Sequence, residues 1–360
     1  MLLISVPGLA HAEDPRPADA ASPPRVRCPP STERRLLAGA AVVVPGVLVH
    51  GAGHYALCDT ETARRLALIE AAGVGSALGS ALGLALTGAS RYVVAPLALG
   101  AIAGVGTFGL TWLADIYGIA APEGGTGVPT APPRLLIQTG LRFVYDRHFE
   151  ARWLASHAVR LDLGSLWLEP RLDAALDAPV RRYALRGATR LIGARPGAAR
   201  PSGDRLEIGL AVSDHAYSDD GFATTTVDAF IDGRFELGAV GPTLRGSFVD
   251  GSAGYARQWV RYDGLPGDLA DELLARFAFG MHLGGRRGVS GETWLAYDHR
   301  RSTFVGGLRL PGIAAGYAGF VEQRTELFFG GPVGLATEVS YGAAFLASAY
   351  FLFRLDAEER

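Results

Sequence analysis

Hydrophobic and polar residues alternate with a period of two along most of the chain after Arg134. Apolar side chains take every second position, and Arg, Asp, Glu, Gly or Ser take the positions between them. Stretches of about ten residues with one apolar face, separated by turn residues, are typical of transmembrane β-strands. Twelve such stretches can be drawn, at 134–146, 150–163, 165–177, 180–194, 204–217, 221–237, 241–262, 271–284, 288–298, 302–310, 313–329 and 333–355. The pattern predicts a mainly β fold, an antiparallel transmembrane β-barrel of about 12 strands over residues 134–355.

The chain before residue 120 has a different pattern. Three apolar stretches, at 36–57, 66–87 and 92–119, approach the ~20 residues that a helix needs to cross a bilayer. Small residues recur at four-residue spacing, which lets helix backbones approach closely. They are Gly75, Gly79 and Gly83, and then Gly100 and Gly104. We predict a Gly/Ala-rich helical region of two or three packed helices over 36–120, followed by a linker at 121–133.

The first residues indicate export. Residues 1–12 form a short apolar run that ends in Ala10, His11 and Ala12, which fits the small-x-small rule for signal-peptide cleavage. Residues 13–35 are rich in Pro, Ala and charge and are predicted to be an extended spacer.

The only cysteines are Cys28 and Cys58, and an even number in an exported chain allows one disulfide. If 35–57 were one straight helix, a rise of ~1.5 Å per residue would hold the two sulfur atoms tens of ångströms apart. The bond therefore needs a bend, which Pro45 and Gly46 can supply. Two unpaired thiols are the alternative.

Composition narrows the possible chemistry. The 360 residues carry 34 basic and 36 acidic side chains, so nothing in the charge balance favours nucleic acid as a partner. Lys and Asn are both missing, as expected of a very GC-rich genome. A phosphate-binding loop ending in Lys, a Gly-x-Ser-x-Gly nucleophile elbow and any Asn-containing triad are excluded. We expect no cofactor.

His50, His54 and Cys58 are spaced by four residues and would share one face of a regular helix. Such a set can hold a soft metal ion, although Gly51 and Gly53 interrupt the helical pattern and a structural role is the alternative. The segment around them resembles short membrane-helix modules of uncharacterised bacterial envelope proteins, and this resemblance implies no activity.

Two features connect the β region to a known class of protein. Tyr145, Tyr262 and Tyr297 each precede an aspartate at a predicted strand end, as in the aromatic girdles of membrane barrels. The last strand has an apolar stripe of Phe345, Ala347, Ala349, Phe351, Phe353 and Leu355. This stripe resembles the terminal strand of bacterial outer-membrane β-barrel proteins, except that the chain ends DAEER and not in an aromatic residue. The resemblance implies a Gram-negative outer membrane, with the lipid bilayer and the outer-membrane insertion machinery as partners.

The polar face of the predicted strands would line the barrel lumen. The candidate pore-lining residues are Arg160, Glu169, Asp173, Arg182, Arg186 and Arg190. An arginine ladder in water can favour anions, whereas paired charges can fill a narrow barrel and stiffen its wall. The predicted function is porin-like passage of small solutes or a structural role, and the sequence leaves the substrate open.

Two alternatives stay open. The SDHAYSDDG segment resembles the aspartate–histidine site of omptin-type outer-membrane proteases, which implies a hydrolase with Asp214, His215, Asp219 and Asp220 as candidate catalytic residues. Strong helical spans can also stop a chain in the inner membrane. The β region would then be a tethered periplasmic domain with a binding or scaffolding role.

Overall fold

The computed structural model describes residues 31–90, 92–146, 150–198, 201–217, 221–284, 288–299, 308–310 and 313–356. Four helices come first: α1 (Thr32–Val43), α2 (Ala52–Ala56), α3 (Thr60–Leu86) and α4 (Val94–Ala120). Fourteen strands follow: β1 (Leu135–Asp146), β2 (Glu150–Asp162), β3 (Leu166–Ala175), β4 (Arg181–Ile192), β5 (Arg205–Ala216), β6 (Ala223–Glu236), β7 (Ser247–Tyr262), β8 (Leu265–Gly284), β9 (Val289–Asp298), β10 (Leu308–Leu310), β11 (Ile313–Ala318), β12 (Phe320–Phe329), β13 (Val333–Tyr341) and β14 (Phe345–Leu355).

Twelve of these strands form one closed antiparallel barrel, which confirms the predicted fold class. β1 to β9 pair in chain order, β9 then pairs with β12, and β12, β13 and β14 continue the sheet. β14 closes the ring on β1 with eleven paired positions, from Leu135 opposite Leu355 to Tyr145 opposite Phe345. β10 and β11 pair only with each other, outside the ring.

The strand count is right because two errors in the predicted strands cancel. The predicted strand 302–310 supplies no barrel strand within the described residues; its Leu308–Leu310 part belongs to the separate β10–β11 pair. The predicted strand 333–355 is two strands, β13 and β14, joined by a tight turn at 342–344. That turn is Gly-Ala-Ala, so no polar residue marks it in the sequence.

The barrel wall has an apolar outer face. Outward side chains on eight strands are each at least 42% exposed: Leu141, Trp153, Leu185, Leu210, Tyr255, Leu295, Leu335 and Phe351. Tyr145 and Tyr262 are also exposed, at the strand ends where the girdle is predicted. A closed barrel with this surface is matched to lipid, since burying its apolar side chains in hydrocarbon is favourable. A water-soluble periplasmic β-domain does not fit it.

The helical region contains four helices where two or three are predicted. The first apolar stretch divides because α1 ends at Val43, a turn with Pro45 and Gly46 follows, and α2 begins only at Ala52. α1 itself begins at Thr32, inside the predicted spacer. α3 and α4 are each long and apolar enough to cross a membrane, and only 22% of each apolar window is buried.

α3 and α4 pack through small residues, but not all of the predicted ones. A methyl group on Gly104 would lie 2.5 Å from the carbonyl oxygen of Gly73, and one on Gly100 would lie 2.5 Å from Ser80 Oγ. Gly75 and Gly79, in contrast, face open space. The close contacts of α3 therefore involve Gly73 and Ser80, and of the predicted stripe only Gly83, where an added methyl group would lie 3.1 Å from Leu97 of α4.

The helices dock on the outer wall of the barrel and not in its lumen. α4 lies against β8, where the ring of Tyr117 meets Phe279 with centroids 5.9 Å apart. Leu66 of α3 and Leu244 of the β6–β7 connection are buried in the same cluster. Tyr117 also donates from its hydroxyl to the carbonyl oxygen of Arg245 at 2.9 Å.

The turn at 50–54 is the polar centre of this docking contact. His54 Nδ1 lies 2.5 Å from Asp115 Oδ1 of α4, and His54 Nε2 lies 3.1 Å from Thr243 Oγ1 on the barrel. Asp115 also accepts from the backbone N–H of Gly51 at 2.8 Å. His54 and Asp115 are fully buried, so one carboxylate holds the helical turn and, through the imidazole, the barrel.

Gly104→Leu should separate α3 from α4, because its side chain would occupy the space of the Gly73 backbone. Gly79→Leu is the matched control, since it adds the same side chain to open space on the same hairpin. We expect thermal loss of the helical circular-dichroism signal in micelles at a lower temperature for Gly104→Leu only. Equal effects of both substitutions would contradict this packing.

Asp115→Ala should loosen the helical region from the barrel, because it leaves the buried His54 imidazole and three backbone N–H groups, those of Gly51, Gly53 and His54, without their acceptor. Removing one member of a buried pair costs about 3–5 kcal/mol. We expect a lower urea midpoint of the helical signal, with the barrel still heat-modifiable on gels. Glu61→Ala, which breaks an exposed pair with Arg65, is the control and should leave the midpoint in place.

Candidate functional site

The period-two pattern sends one side chain in two into the barrel lumen. A cavity of about 480 Å³ lies there, lined in the described part of the chain by nine arginines and ten carboxylates. The near balance of these charges does not favour a plain anion channel. Pairing explains how so many charges share one narrow space, because eight of the nine guanidinium groups have a carboxylate oxygen within 4.0 Å.

The six predicted pore-lining residues all lie on the lumen side. Four of them line the 480 Å³ cavity: Arg160, Glu169, Arg182 and Arg186. Arg190 is buried and bonds to Asp162 at 2.7 Å and to Glu207 at 3.0 Å. Asp173 is fully buried and bonds to Arg142 at 3.2 Å. Asp173 is therefore a wall-forming partner, whereas Arg190 both braces the wall and lines a second, smaller cavity.

The lumen charges are sorted between two walls. On β2 to β5, five arginines and two glutamates line the cavity: Arg160, Arg171, Arg182, Arg186, Arg205, Glu169 and Glu207. On β8, β9, β12 and β13, five glutamates and two arginines do: Glu272, Glu292, Glu322, Glu326, Glu338, Arg276 and Arg324. These walls face each other, since β6 and β7 separate them on one side and β1 and β14 on the other. The lumen therefore has a basic wall opposite an acidic wall.

Ion pairs between non-adjacent strands narrow the lumen. Arg234 of β6 bonds to Glu292 of β9 at 2.9 Å, across β7 and β8. Arg142 of β1 reaches Glu338 of β13 at 3.3 Å, past β14. The planar guanidinium can hold two acceptors in a fixed geometry, so these contacts fix the cross-section of the barrel.

A second cavity of about 190 Å³ lies at the barrel end where β1 begins, which we call the N-terminal mouth. Six residues line both cavities: Leu136, Arg160, Arg205, Arg234, Glu292 and Glu326. These shared residues mark where the two cavities meet, and we call this place the neck.

Residues 125–134, here called the strap, cross the N-terminal mouth. One end of the strap is held beside β7 and β8. There the backbone N–H of Gly125 donates to the carbonyl oxygen of Arg245 at 2.7 Å, and the Thr126 hydroxyl donates to the carbonyl oxygen of Gly284 at 3.1 Å. At the other end the chain enters β1, and β7 is six strands from β1 in either direction around the ring. Residues 129–133 line the mouth cavity. Three of these five are Pro, which favours an extended strap that rises ~3.1 Å per residue.

The predicted metal ligands do not form a metal site. Gly51 has a φ of +89° and breaks the helix between His50 and His54, so the two rings do not share a helix face with Cys58. His50 Nδ1 lies 2.6 Å from Thr111 Oγ1. Burial lowers the pKa of His50, although the nearby Glu70 and Asp115 carboxylates oppose this shift. No group of three metal-ligating side chains occurs among the described residues.

Of the two cysteines in the predicted disulfide, Cys58 lies among the described residues. Cys58 is not a free thiol, and the turn after α1 supplies the bend that the bond requires. Cys28 lies outside the described residues, so its pairing with Cys58 stays a prediction.

The omptin-like dyad is not assembled within the described residues. Asp214 and His215 are consecutive on β5, and consecutive strand residues point to opposite faces. Asp214 bonds outside the barrel to Arg261 at 2.6 Å, whereas His215 is buried inside, with its ring 3.7 Å from that of Tyr217. Asp219 and Asp220 lie outside the described residues. Sequence proximity therefore wrongly suggested that this carboxylate and this imidazole act together.

The neck was largely missed by sequence reasoning, which named only Arg160 among its members. The signal was present, because Arg234 and Glu292 occupy polar positions of alternating segments. What the sequence lacks is the height of each residue along the barrel, which depends on the register of every strand pair.

Comparison with known proteins finds similarity only at the level of the fold. No family model and no curated protein matches the chain. Among solved structures, the β-domain of the Bordetella autotransporter Brka is 14% identical, covering 61% of this chain and 98% of its own, with a TM-score of 0.35. The NanC porin is 8% identical, covering 60% and 98%, with a TM-score of 0.37. The translocator domain of the autotransporter NalP from Neisseria meningitidis is 8% identical, covering 68% and 94%, with a TM-score of 0.32. The β-barrel architecture of this chain is established by its own strand pairing, which closes a ring of twelve strands.

Proposed function

We propose that this protein is a narrow channel for small water-soluble solutes in the outer membrane of a Gram-negative bacterium. The observation that carries the proposal is the pair of connected, charge-lined cavities inside a closed barrel. Charged side chains around a water-filled path are how barrels select what passes. The apolar outer wall supports a place in the lipid bilayer.

The proposed route to the membrane follows from the chain order. Residues 1–12 would be removed as a signal peptide after export, and 13–35 would act as a spacer before the helical region at 36–120 and the barrel at 134–355. The apolar stripe on β14 supports recognition by the outer-membrane insertion machinery. We place the N-terminal mouth on the periplasmic side, because the start of β1 and the end of β14 both lie at this mouth.

A structural role is the second candidate, and a specific observation favours it. Arg234–Glu292 and Arg142–Glu338 cross the lumen, and the strap crosses the N-terminal mouth. A barrel blocked by these ion pairs in the lumen and by the strap at the mouth would anchor the helical region without conducting ions. The two candidates differ in one measurable property, which is ionic conductance.

The neck pair should limit the current. We expect purified protein to conduct in planar bilayers. The double variant Arg234→Ser with Glu292→Ser should conduct roughly twofold more, because two long side chains leave the neck. Removing both partners avoids a lone buried charge. The matched control is Arg257→Ser with Asp271→Ser, a pair at 2.8 Å with both side chains nearly half exposed on the outer wall.

The result separates the candidates. An increase in the neck variant alone supports the channel. If neither protein conducts after insertion is verified by heat-modifiability, the channel is wrong and the structural role replaces it. Equal currents in wild type, neck variant and control would show that the neck is not the constriction.

A further inference from the structure

One arginine of the neck differs from the others in its partners. Arg205 bonds to Asp232 at 3.1 Å, and Arg234 bonds to Glu292 at 2.9 Å. Arg160 has no hydrogen bond and no carboxylate within 4.0 Å among the described residues. Its guanidinium lies instead over the ring of Trp167, 4.2 Å from the centroid. This permanently charged group therefore lines both cavities without a carboxylate bound to it among the described residues.

The ring beneath Arg160 is held in place. Trp167 is almost fully buried, and its Nε1–H donates to Glu207 Oε2 at 3.0 Å. A guanidinium stacked on a fixed ring keeps its plane and loses little entropy when it binds. A planar fork of donors in that state matches a carboxylate, which it can bind through two parallel hydrogen bonds.

The acidic wall opposite Arg160 determines which second charge a bound solute should carry. Glu292 of β9 and Glu326 of β12 complete the neck on the acidic side, and Arg160 of β2 lies across the lumen from them. Glu292 already accepts from Arg234 at 2.9 Å and Glu326 from Arg324 at 2.8 Å, and each carboxylate keeps lone pairs for a further donor. A simple anion would be attracted by Arg160 and repelled by the acidic wall. A simple cation would be attracted by the acidic wall and repelled by Arg160. A molecule with separated charges of both signs is favoured at both walls.

We propose that the neck binds small zwitterions of amino-acid type, with the carboxylate on Arg160 and the ammonium group toward Glu326 and Glu292. This inference rests on the proposed channel function in that it assigns the solute class to the neck of that channel. The 480 Å³ cavity next to the neck lies within the ~300–1,000 Å³ of pockets that enclose small organic molecules.

Three solutes of equal chain length test the proposal: 4-aminobutyrate, butyrate and n-butylammonium. Binding to the purified full chain in micelles is measured by calorimetry, and block of the potassium chloride current is measured in planar bilayers. We expect 4-aminobutyrate to bind and block at a concentration roughly tenfold lower than either singly charged solute. Calorimetry needs no conductance, so it tests the zwitterion site independently of the channel function.

Two variants locate the site. Arg160→Gln should remove the preference for 4-aminobutyrate over n-butylammonium, and Glu326→Gln should weaken its preference over butyrate. Arg257→Gln, on the outer wall, should change neither. Each variant is used only if it remains heat-modifiable, and the two neck variants act on opposite walls, so one suffices if the other does not fold.

The outcomes are distinct. Binding of 4-aminobutyrate without any current upholds the site and overturns the channel. Current with equal block by all three solutes upholds the channel and overturns the zwitterion site. Tighter binding of butyrate than of 4-aminobutyrate also overturns it, because the acidic wall would then have no role.

Discussion

The rest of the structure depends on the pairing of β14 with β1. In hydrocarbon no water can satisfy a backbone N–H or C=O, so a sheet that spans a membrane cannot leave an edge open. Eleven paired positions between β1 and β14 remove that edge. Closure then divides every strand into an outward and an inward row, and the period-two pattern of the sequence becomes an apolar wall around a charged interior.

Closure also forces the inward charges together, and their pairing explains the narrow lumen. An isolated arginine in a confined space would be costly, but Arg234 and Arg142 each reach carboxylates on strands that are not their neighbours. These contacts tie distant parts of the ring to one another. The same network therefore stabilises the wall and narrows the lumen, and the proposed channel and the proposed structural role depend on one set of interactions.

Sequence reasoning reached the fold because alternation is a local property, visible strand by strand. It failed where the position of a side chain depends on a single backbone angle, or on the pairing register of strands that are far apart in the sequence. The positive φ of Gly51 ended the helix that would have aligned His50 with His54. The opposite faces of β5 separated Asp214 from His215, although the alternation itself could have revealed this. The neck required the height of Arg160 and Glu292 along the barrel, which follows only from the complete ring of strand pairs.

The position of the helical region has a direct consequence for the mouth. The helices dock at β7 and β8, with Tyr117 against Phe279, but the chain has to continue into β1 on the opposite side of the ring. The connection between them must therefore pass over the N-terminal mouth, and residues 129–133 line the cavity there. The buried His54–Asp115 contact, which holds the helices at their distant site, thus also favours a strap that lies across the N-terminal mouth.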